Sequence, residues 1–98
     1  MPLPIFIDID GTLTEVPTRM WGAPIPERIA VVENLIASAR EVVLWSGGGT
    51  AYVRAFAEKH GLRPSVCIGK PGTIVDDHPA IRPRNRVLIV APEVFFGR

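Results

Sequence analysis

Short apolar runs without polar alternation, separated by segments with helical spacing, limit the fold of this chain more than any other feature. The first run spans about Leu3 to Ile9, and the second, EVVLWS, spans Glu41 to Ser46. Uninterrupted apolar character is typical of strands covered on both faces, and strands joined by crossover helices form parallel sheets. We therefore expect an α/β fold with a largely parallel sheet and the first strand near its centre.

Two helices are expected to connect the first three strands. Pro26 suits the first turn of a helix that ends near Arg40. The second helix follows GGG at Gly47 to Gly49, with Thr50 as its N-cap and a left-handed end at Gly61. The apolar stripe of the first helix comprises Ile29, Val32, Leu35, Ile36 and Ala39. The predicted inner face of the second comprises Tyr52, Ala55 and Phe56.

Three further apolar runs complete a predicted sheet of about five strands. They cover Ser65 to Ile68, Thr73 to Val75 and Val87 to Val90. The stretch from Leu13 to Pro24 lacks a steady period and is predicted to be a loop or small hairpin. Because 98 residues are too few for two cores, we expect residues 1–98 to form one three-layer, Rossmann-like domain.

The composition is that of a folded globular protein, with 47% hydrophobic and 21% charged residues. The net charge of +1 gives no reason to expect a membrane surface or a polyanion as partner. The N-terminus lacks the basic region of a signal peptide, and Asp8 interrupts its apolar run, so we expect a cytoplasmic protein without a membrane span. Cys67, the only cysteine, is expected to be a small buried hydrophobe.

Polar side chains suited to chemistry stand at the ends of the predicted strands. Asp8 and Asp10 lie at the end of the first strand, and Ser46 ends the second. Lys70 follows the third strand, and an acidic pair follows the fourth. Ligands of open α/β sheets bind beyond the carboxyl ends of the strands, so these side chains are expected to converge on one site. The acidic pair is Asp76 and Asp77.

Four carboxylates in one site require a cation. Two unit charges about 4 Å apart repel by about 4 kcal/mol at an effective dielectric constant of about 20. Hard oxygen ligands select Mg²⁺ over softer metals, and Mg²⁺ commonly takes one or two carboxylates together with water and phosphate oxygens. The acidic residues therefore predict a Mg²⁺ site and leave one carboxylate free to react.

The order of these residues resembles the four signature motifs of the haloacid dehalogenase superfamily of phosphotransferases. The first motif corresponds to DIDGT at Asp8 to Thr12, and the second to Ser46 after VVLW. The third corresponds to Lys70 in IGKPG, and the fourth to the acidic pair in IVDDHP. The resemblance covers about Ile5 to Pro79, and its first motif is quite specific.

The resemblance implies a Mg²⁺-dependent phosphatase that works through an aspartyl-phosphate intermediate. Asp8 would attack phosphorus, and Asp10 would protonate the leaving oxygen and later activate water. Ser46 and Lys70 would hold phosphate oxygens. The implied Mg²⁺ ligands are Asp8, the backbone carbonyl of Asp10, Asp76 and Asp77.

Physical chemistry supports these roles. A carboxylate approaches a dianionic phosphate only when positive charge, here from a metal and Lys70, offsets their repulsion. Residues two apart on a strand point to the same face, so Asp8 and Asp10 both reach one phosphate if strand geometry continues through Asp10. The second motif continues as SGGGT without a basic residue. The backbone N–H groups of Gly47 and its neighbours are therefore expected to donate hydrogen bonds to phosphate oxygens instead.

The spacing between the motifs leaves no room for a cap domain. Only the loop from Leu13 to Pro24 remains in the first interval, and one helix nearly fills the second. In this family an uncapped site suggests a bulky phosphorylated substrate, or a lid supplied by another subunit of a homo-oligomer. Trp21 and the C-terminal VFFGR are candidates for such an interface, and simple packing against the core is the alternative.

A basic cluster precedes the last predicted strand. Its arginines either contact a second phosphate or a nucleic-acid backbone, or they protect a sheet edge from pairing with other chains. His60 is interpreted as a helix-end residue, and His78 as a turn residue before Pro79. The cluster comprises Arg82, Arg84 and Arg86.

Two other classes of function also use clustered aspartates. A signalling receiver surrounds a phosphorylated aspartate with acidic residues, a Ser or Thr and a Lys, but it carries the acidic pair first and the phosphoacceptor in a later strand. This chain instead opens with Asp-x-Asp-Gly-Thr. A catalytically idle phosphate-binding domain is the third class, although no expected catalytic position is missing here. The sequence favours the phosphatase.

Overall fold

Three parallel strands form the sheet in the part of the chain that the computed structural model describes, residues 3–16, 22–75 and 89–97. The strands are β1 (Ile5–Asp8), β2 (Val42–Ser46) and β3 (Val66–Gly69), in the order β1-β2-β3. The register places Asp8 beside Trp45 and Ser46 beside Gly69. The predicted α/β class and the parallel pairing are confirmed. Within the described residues, however, β2 and not β1 is the middle strand.

The first crossover helix, α1 (Pro26–Ala37), connects β1 to β2 and has its proline in the first turn, as predicted. It ends three residues earlier than expected. Ala39 adopts a left-handed φ of 63°, and the N–H of Arg40 donates to the carbonyl of Leu35 at 3.0 Å. This is the hydrogen-bond pattern of a Schellman ending, which terminates the helix although the apolar periodicity continues to Ala39.

The second crossover helix, α2 (Thr50–Lys59), connects β2 to β3. Its N-cap is Gly49, at a φ of 101°, and not the expected Thr50. Thr50 is instead the first helical residue, and its hydroxyl accepts a hydrogen bond from the N–H of Gly69 on β3 at 3.0 Å. The predicted left-handed end is confirmed, with Gly61 at a φ of 66°.

The core lies between one face of the sheet and these two helices. On α1 only Val32 is fully buried. On α2 the buried residues are Val53, Phe56 and Ala57, and the predicted inner residue Ala55 is exposed. Ala55 is exposed because the buried stripe of a helix repeats at spacings of three and four residues, which lead from Val53 to Phe56 and Ala57. The core cluster comprises Ile7, Ile9, Leu13, Val32, Val42, Leu44, Val53, Phe56, Ala57 and Leu62.

The opposite face of the sheet carries apolar side chains that are partly exposed. Phe6 is 50% exposed, and its ring meets the edge of Trp45 with centroids 4.8 Å apart. Val66 and Ile68 on β3 are each 43% exposed. The uninterrupted apolar character of β1 therefore does not correspond to full burial of both faces, because Phe6 points away from the core.

The fourth predicted strand is absent from its place in the described chain. Residues 73–75 form no strand, and Val75 is 95% exposed. A run of three residues is too short to persist without a neighbouring strand, and no described strand lies beside it. Of the fifth predicted strand, Ile89 and Val90 are not in a strand, and residues 87–88 lie outside the described residues.

Two further features complete the described fold. The stretch from Leu13 to Pro24, predicted to be a loop or small hairpin, contains an isolated antiparallel bridge between Thr14 and Pro24. Its residues 17–21 lie outside the described residues. A short helix, α3 (Pro92–Phe96), occupies the C-terminal segment, where no helix was predicted. None of the helices in residues 3–16, 22–75 and 89–97 is long and apolar enough to cross a membrane.

Candidate functional site

Asp8 and Lys70 form an ion pair at the carboxyl ends of the outer strands of the described sheet. Asp8 is the last residue of β1, and Lys70 directly follows β3. The Lys70 Nζ lies 3.1 Å from the Asp8 Oδ1, with side chains that are 43% and 29% exposed, respectively. The Lys70 Nζ also lies over the ring of Trp45 on β2, 5.6 Å from the ring centroid. The convergence expected at the strand ends is therefore present for these two residues.

A tight turn follows Asp8 and supplies a second contact to its carboxylate. The carbonyl of Ile9 accepts the N–H groups of Thr12, Leu13 and Thr14 at 2.8–3.2 Å. Gly11 has a φ of 80°, a conformation that glycine adopts without steric cost. The turn brings the Thr12 hydroxyl to 3.4 Å from the Asp8 Oδ2. Asp8 is thus contacted on one oxygen by Lys70 and on the other by Thr12.

Asp10 belongs to this turn and not to the strand, because β1 ends at Asp8. The expectation that both aspartates share one face of a continuing strand is therefore wrong. The Asp10 Oδ2 accepts from the Ser46 hydroxyl at 3.2 Å, and the Oδ1 accepts from the Tyr52 hydroxyl at 2.5 Å. The chain turn, and not the strand pleat, decides where this carboxylate points.

Ser46 connects Asp10 to the middle of the sheet. Its side chain is buried, at 1% exposure, and its oxygen also accepts the N–H of Gly48 at 3.0 Å. The carbonyl of Ser46 accepts the backbone N–H of Lys70 at 2.9 Å. The hydroxyl proton that would bind a phosphate oxygen therefore points to Asp10 in this arrangement, and it must turn to act on phosphate.

Gly47 follows Ser46 directly and is exposed. A Cβ built at Gly47 would meet no atom within 4 Å. The backbone of this residue is thus open to an approaching ligand, as the predicted role in phosphate binding requires. That role stays a prediction.

The predicted Mg²⁺ site falls only partly within the described residues. Asp8 and Asp10 offer the hard oxygen atoms that Mg²⁺ prefers. In residues 3–16, 22–75 and 89–97, no three side chains among His, Cys, Asp and Glu come close enough to hold a metal ion. The two remaining predicted ligands, Asp76 and Asp77, lie outside these residues. The donor chemistry at the end of β1 fits Mg²⁺, and the complete ligand set stays a prediction.

Of the other residues singled out from the sequence, some lie within the described residues and some lie outside them. From the C-terminal VFFGR, Phe96 packs beneath Arg28 of α1, whose guanidinium carbon lies 5.3 Å from the ring centroid. Arg28 also donates to the carbonyl of Thr12 at 2.9 Å, so α3 is connected to the turn after Asp8. Those outside the described residues are Trp21, His78, Arg82, Arg84 and Arg86.

Two titratable groups lie apart from these contacts. Cys67 on β3 is half-buried against the core, and burial raises the pKa of its thiol, an effect that Arg54 partly opposes. His60 follows α2, and its ring lies against that of Phe56 at a tilt of 46°. Burial and, to a smaller extent, the neighbouring Lys59 lower the pKa of its imidazole. An open groove of about 500 Å³ beside Cys67 shares no lining residue with the cluster around Asp8.

The sequence did not indicate the hydrogen bond between Tyr52 and Asp10. The apolar ring of Tyr52 suited the inner face of α2, and the ring does pack against the core. The available signal was position, because Tyr52 lies in the first turn of the helix that starts directly after Ser46 and the glycines. A polar group in that turn lies near the end of β2, where Asp10 also arrives.

Comparisons with protein-family models, with curated proteins and with solved structures find no match to this chain. The resemblance to the haloacid dehalogenase superfamily therefore stands on the motif residues.

Proposed function

We propose that this chain is a Mg²⁺-dependent phosphatase that hydrolyses a phosphomonoester through an aspartyl-phosphate on Asp8. One observation carries the proposal. Asp8, at the end of β1, and Lys70, directly after β3, meet at 3.1 Å although these two strands are not neighbours in the sheet. The nearby Asp10 carboxylate accepts hydrogen bonds from other donors, Ser46 and Tyr52. A nucleophile beside a cation, with a second carboxylate nearby, is the set of groups that phosphoryl transfer needs.

The first proposed step transfers the phosphoryl group to the protein. A carboxylate oxygen of Asp8 attacks phosphorus, the bond between phosphorus and the leaving oxygen breaks, and Asp10 gives that oxygen a proton. Lys70 binds a phosphate oxygen, which is consistent with its position against Asp8. The exposed backbone at Gly47 and the hydroxyl of Ser46, once turned from Asp10, bind further phosphate oxygens.

The second proposed step regenerates the enzyme. Asp10 takes a proton from water, the water oxygen attacks the phosphorus, and the bond to Asp8 breaks to release inorganic phosphate. Asp8, the Asp10 carbonyl, Asp76 and Asp77 would hold Mg²⁺, which supplies positive charge against the phosphate oxygens. The domain would be three-layered, Rossmann-like and uncapped, and the protein cytoplasmic.

We infer the substrate class from the spacing of the motifs, which leaves no room for a cap domain. An uncapped site admits a bulky phosphorylated substrate, and a second subunit of a homo-oligomer is the other source of a lid. A panel of phosphorylated metabolites, nucleotides and end-phosphorylated oligonucleotides distinguishes small from bulky substrates. Preference for the oligonucleotides would also support the nucleic-acid interpretation of the arginine cluster.

The central test is hydrolysis of an aryl phosphate in Mg²⁺, with and without EDTA. We expect activity that EDTA abolishes and added Mg²⁺ restores. Asp8→Asn should lose turnover while its circular dichroism spectrum stays that of the folded protein. Glu58→Gln, on the exposed face of α2, should retain turnover. Full activity of Asp8→Asn would eliminate Asp8 as the nucleophile. A long-lived phosphorylated protein with little phosphate release would support a receiver-like role instead.

A further inference from the structure

The phenol of Tyr52 lies on Asp10, the residue assigned above to proton transfer. The Tyr52 hydroxyl donates to the Asp10 Oδ1, and the Ser46 hydroxyl donates to the Oδ2. The two donors come from different elements, α2 and the end of β2, while Asp10 itself belongs to the turn after β1. Two elements of the scaffold therefore orient a carboxylate that belongs to a third, the turn after β1.

Each donor is itself well positioned. Tyr52 is in the first turn of α2 and packs its ring against the core, so only its hydroxyl has to reach Asp10. A tyrosine ring has two rotatable side-chain bonds, which makes it an inexpensive donor to hold in place. Ser46 is buried and accepts the N–H of Gly48.

The two donors differ in what the proposed reaction asks of them. Ser46 is assigned to a phosphate oxygen, so its hydroxyl must leave the Asp10 Oδ2 when substrate binds. Tyr52 is assigned no phosphate oxygen, and its hydroxyl continues to hold the Oδ1. The Oδ2 is then free to face the leaving oxygen while the carboxyl group keeps its orientation.

We propose that Tyr52 is a positioning residue for proton transfer by Asp10, and this inference rests on the proposed phosphatase function. Its hydroxyl fixes the Asp10 carboxyl group through the Oδ1 and so presents the Oδ2 to the leaving oxygen. This role requires no contact of Tyr52 with phosphorus or with the attacking oxygen. Its effect therefore depends on how much the departing group needs a proton.

The test compares leaving groups in wild type and Tyr52→Phe, a change that removes the hydroxyl and keeps the ring. The substrates are an alkyl phosphate, phenyl phosphate and dinitrophenyl phosphate. The quantity measured is kcat/KM, which reports the steps up to departure of the leaving group. We expect a loss of roughly 10–100-fold for the alkyl phosphate, because general acid catalysis contributes about 10²–10⁴-fold. For dinitrophenyl phosphate, which departs without a proton, we expect less than about a threefold loss.

Two further variants complete the experiment. Asp10→Asn should show the same dependence on the leaving group with a larger loss, and adding Tyr52→Phe to it should cost little more, because the two residues act as a unit. Ser38→Ala removes a hydroxyl that donates to the Asn34 carbonyl on α1, and it should leave the whole series unchanged.

The outcomes separate this inference from the function on which it rests. If wild type hydrolyses the series and Tyr52→Phe loses equally on every substrate, or loses nothing, Tyr52 does not position the proton donor. If the Tyr52→Phe and Asp10→Asn losses multiply in the double variant, the two residues act independently and the inference is also overturned. If wild type hydrolyses none of the substrates in Mg²⁺, the phosphatase proposal itself fails.

Discussion

The backbone N–H of Lys70 donates a hydrogen bond to the carbonyl oxygen of Ser46 at 2.9 Å. This bond extends the pairing of β2 and β3 one residue beyond β3, because Ser46 is the register partner of Gly69. It fixes the point at which the Lys70 side chain leaves the sheet. Lys70 therefore reaches Asp8 across the end of the middle strand.

Gly69→Ala should destabilise the protein by about 1–3 kcal/mol, the usual range for overpacking. A Cβ at Gly69 would lie 2.9 Å from the Gly49 Cα and 3.2 Å from the Thr50 nitrogen, and neither backbone atom moves easily. Urea denaturation measures the effect. Gly72→Ala is the control, since a Cβ there meets nothing within 4 Å, and it should change stability by less than about 0.5 kcal/mol. Equal effects of both changes would refute the close approach of β3 and α2.

Lys70→Gln should separate activity from stability. Its ion pair with Asp8 is partly exposed, so the free energy of unfolding should change by less than about 1 kcal/mol. Loss of a cation that binds the reacting phosphate should lower kcat by roughly 10²–10³-fold. Steady-state kinetics and urea denaturation measure the two quantities. Lys59→Gln at the end of α2 serves as control, and a comparable rate loss there would remove the special role of Lys70.

Ala39→Gly should stabilise the protein, by roughly 0.5–1 kcal/mol. Ala39 ends α1 at a φ of 63°, where a Cβ is disfavoured and glycine is not. The same change at Ala30, an exposed position inside α1, should destabilise by about 1 kcal/mol. Opposite shifts of the thermal midpoint are expected for the two variants. Destabilisation by both would mean that the helix continues past Ala37.

Phe96→Ala should weaken the attachment of α3 by roughly 1–2 kcal/mol, through lost burial and the lost contact with Arg28. Val94→Ala on the same helix is the control, because Val94 is 74% exposed. Hydrogen exchange of the α3 amides reports local loosening. If both variants leave exchange unchanged, the packing of Phe96 does not hold this helix.

His60 should make the protein less stable as the pH falls below about 6.5. Burial, and then Lys59, lower the pKa of its imidazole in the folded state. The unfolded chain therefore takes up the proton first, and folding stability decreases through this range. NMR titration should give a His60 pKa below that of an unfolded peptide. His60→Gln should flatten the fall of the thermal midpoint between about pH 7.5 and about pH 5.5, and a steeper fall would contradict the assignment.

The sequence was sufficient to predict which residues lie at the candidate site, because the carboxyl ends of parallel strands meet at one edge of the sheet. Asp8, Ser46 and Lys70 each follow or end an apolar run, and the fold brings all three to one edge. The α/β class and the two crossover helices follow from local periodicity alone. The left-handed end of α2 at Gly61 was predictable for the same reason, since glycine carries its own conformational preference.

Only the tertiary structure decided how the groups at that edge are shared. The turn after Asp8 directs Asp10 to Ser46 and Tyr52, because three N–H groups converge on the Ile9 carbonyl and end the strand. The residues around Thr50 in the sequence do not indicate that its hydroxyl accepts a hydrogen bond from the N–H of Gly69 on β3. Strands and helices can be predicted from apolar residues because the residues of one element are close in sequence. Hydrogen-bond partners such as Tyr52 and Asp10 are 42 positions apart and meet only when the sheet and the helix pack together.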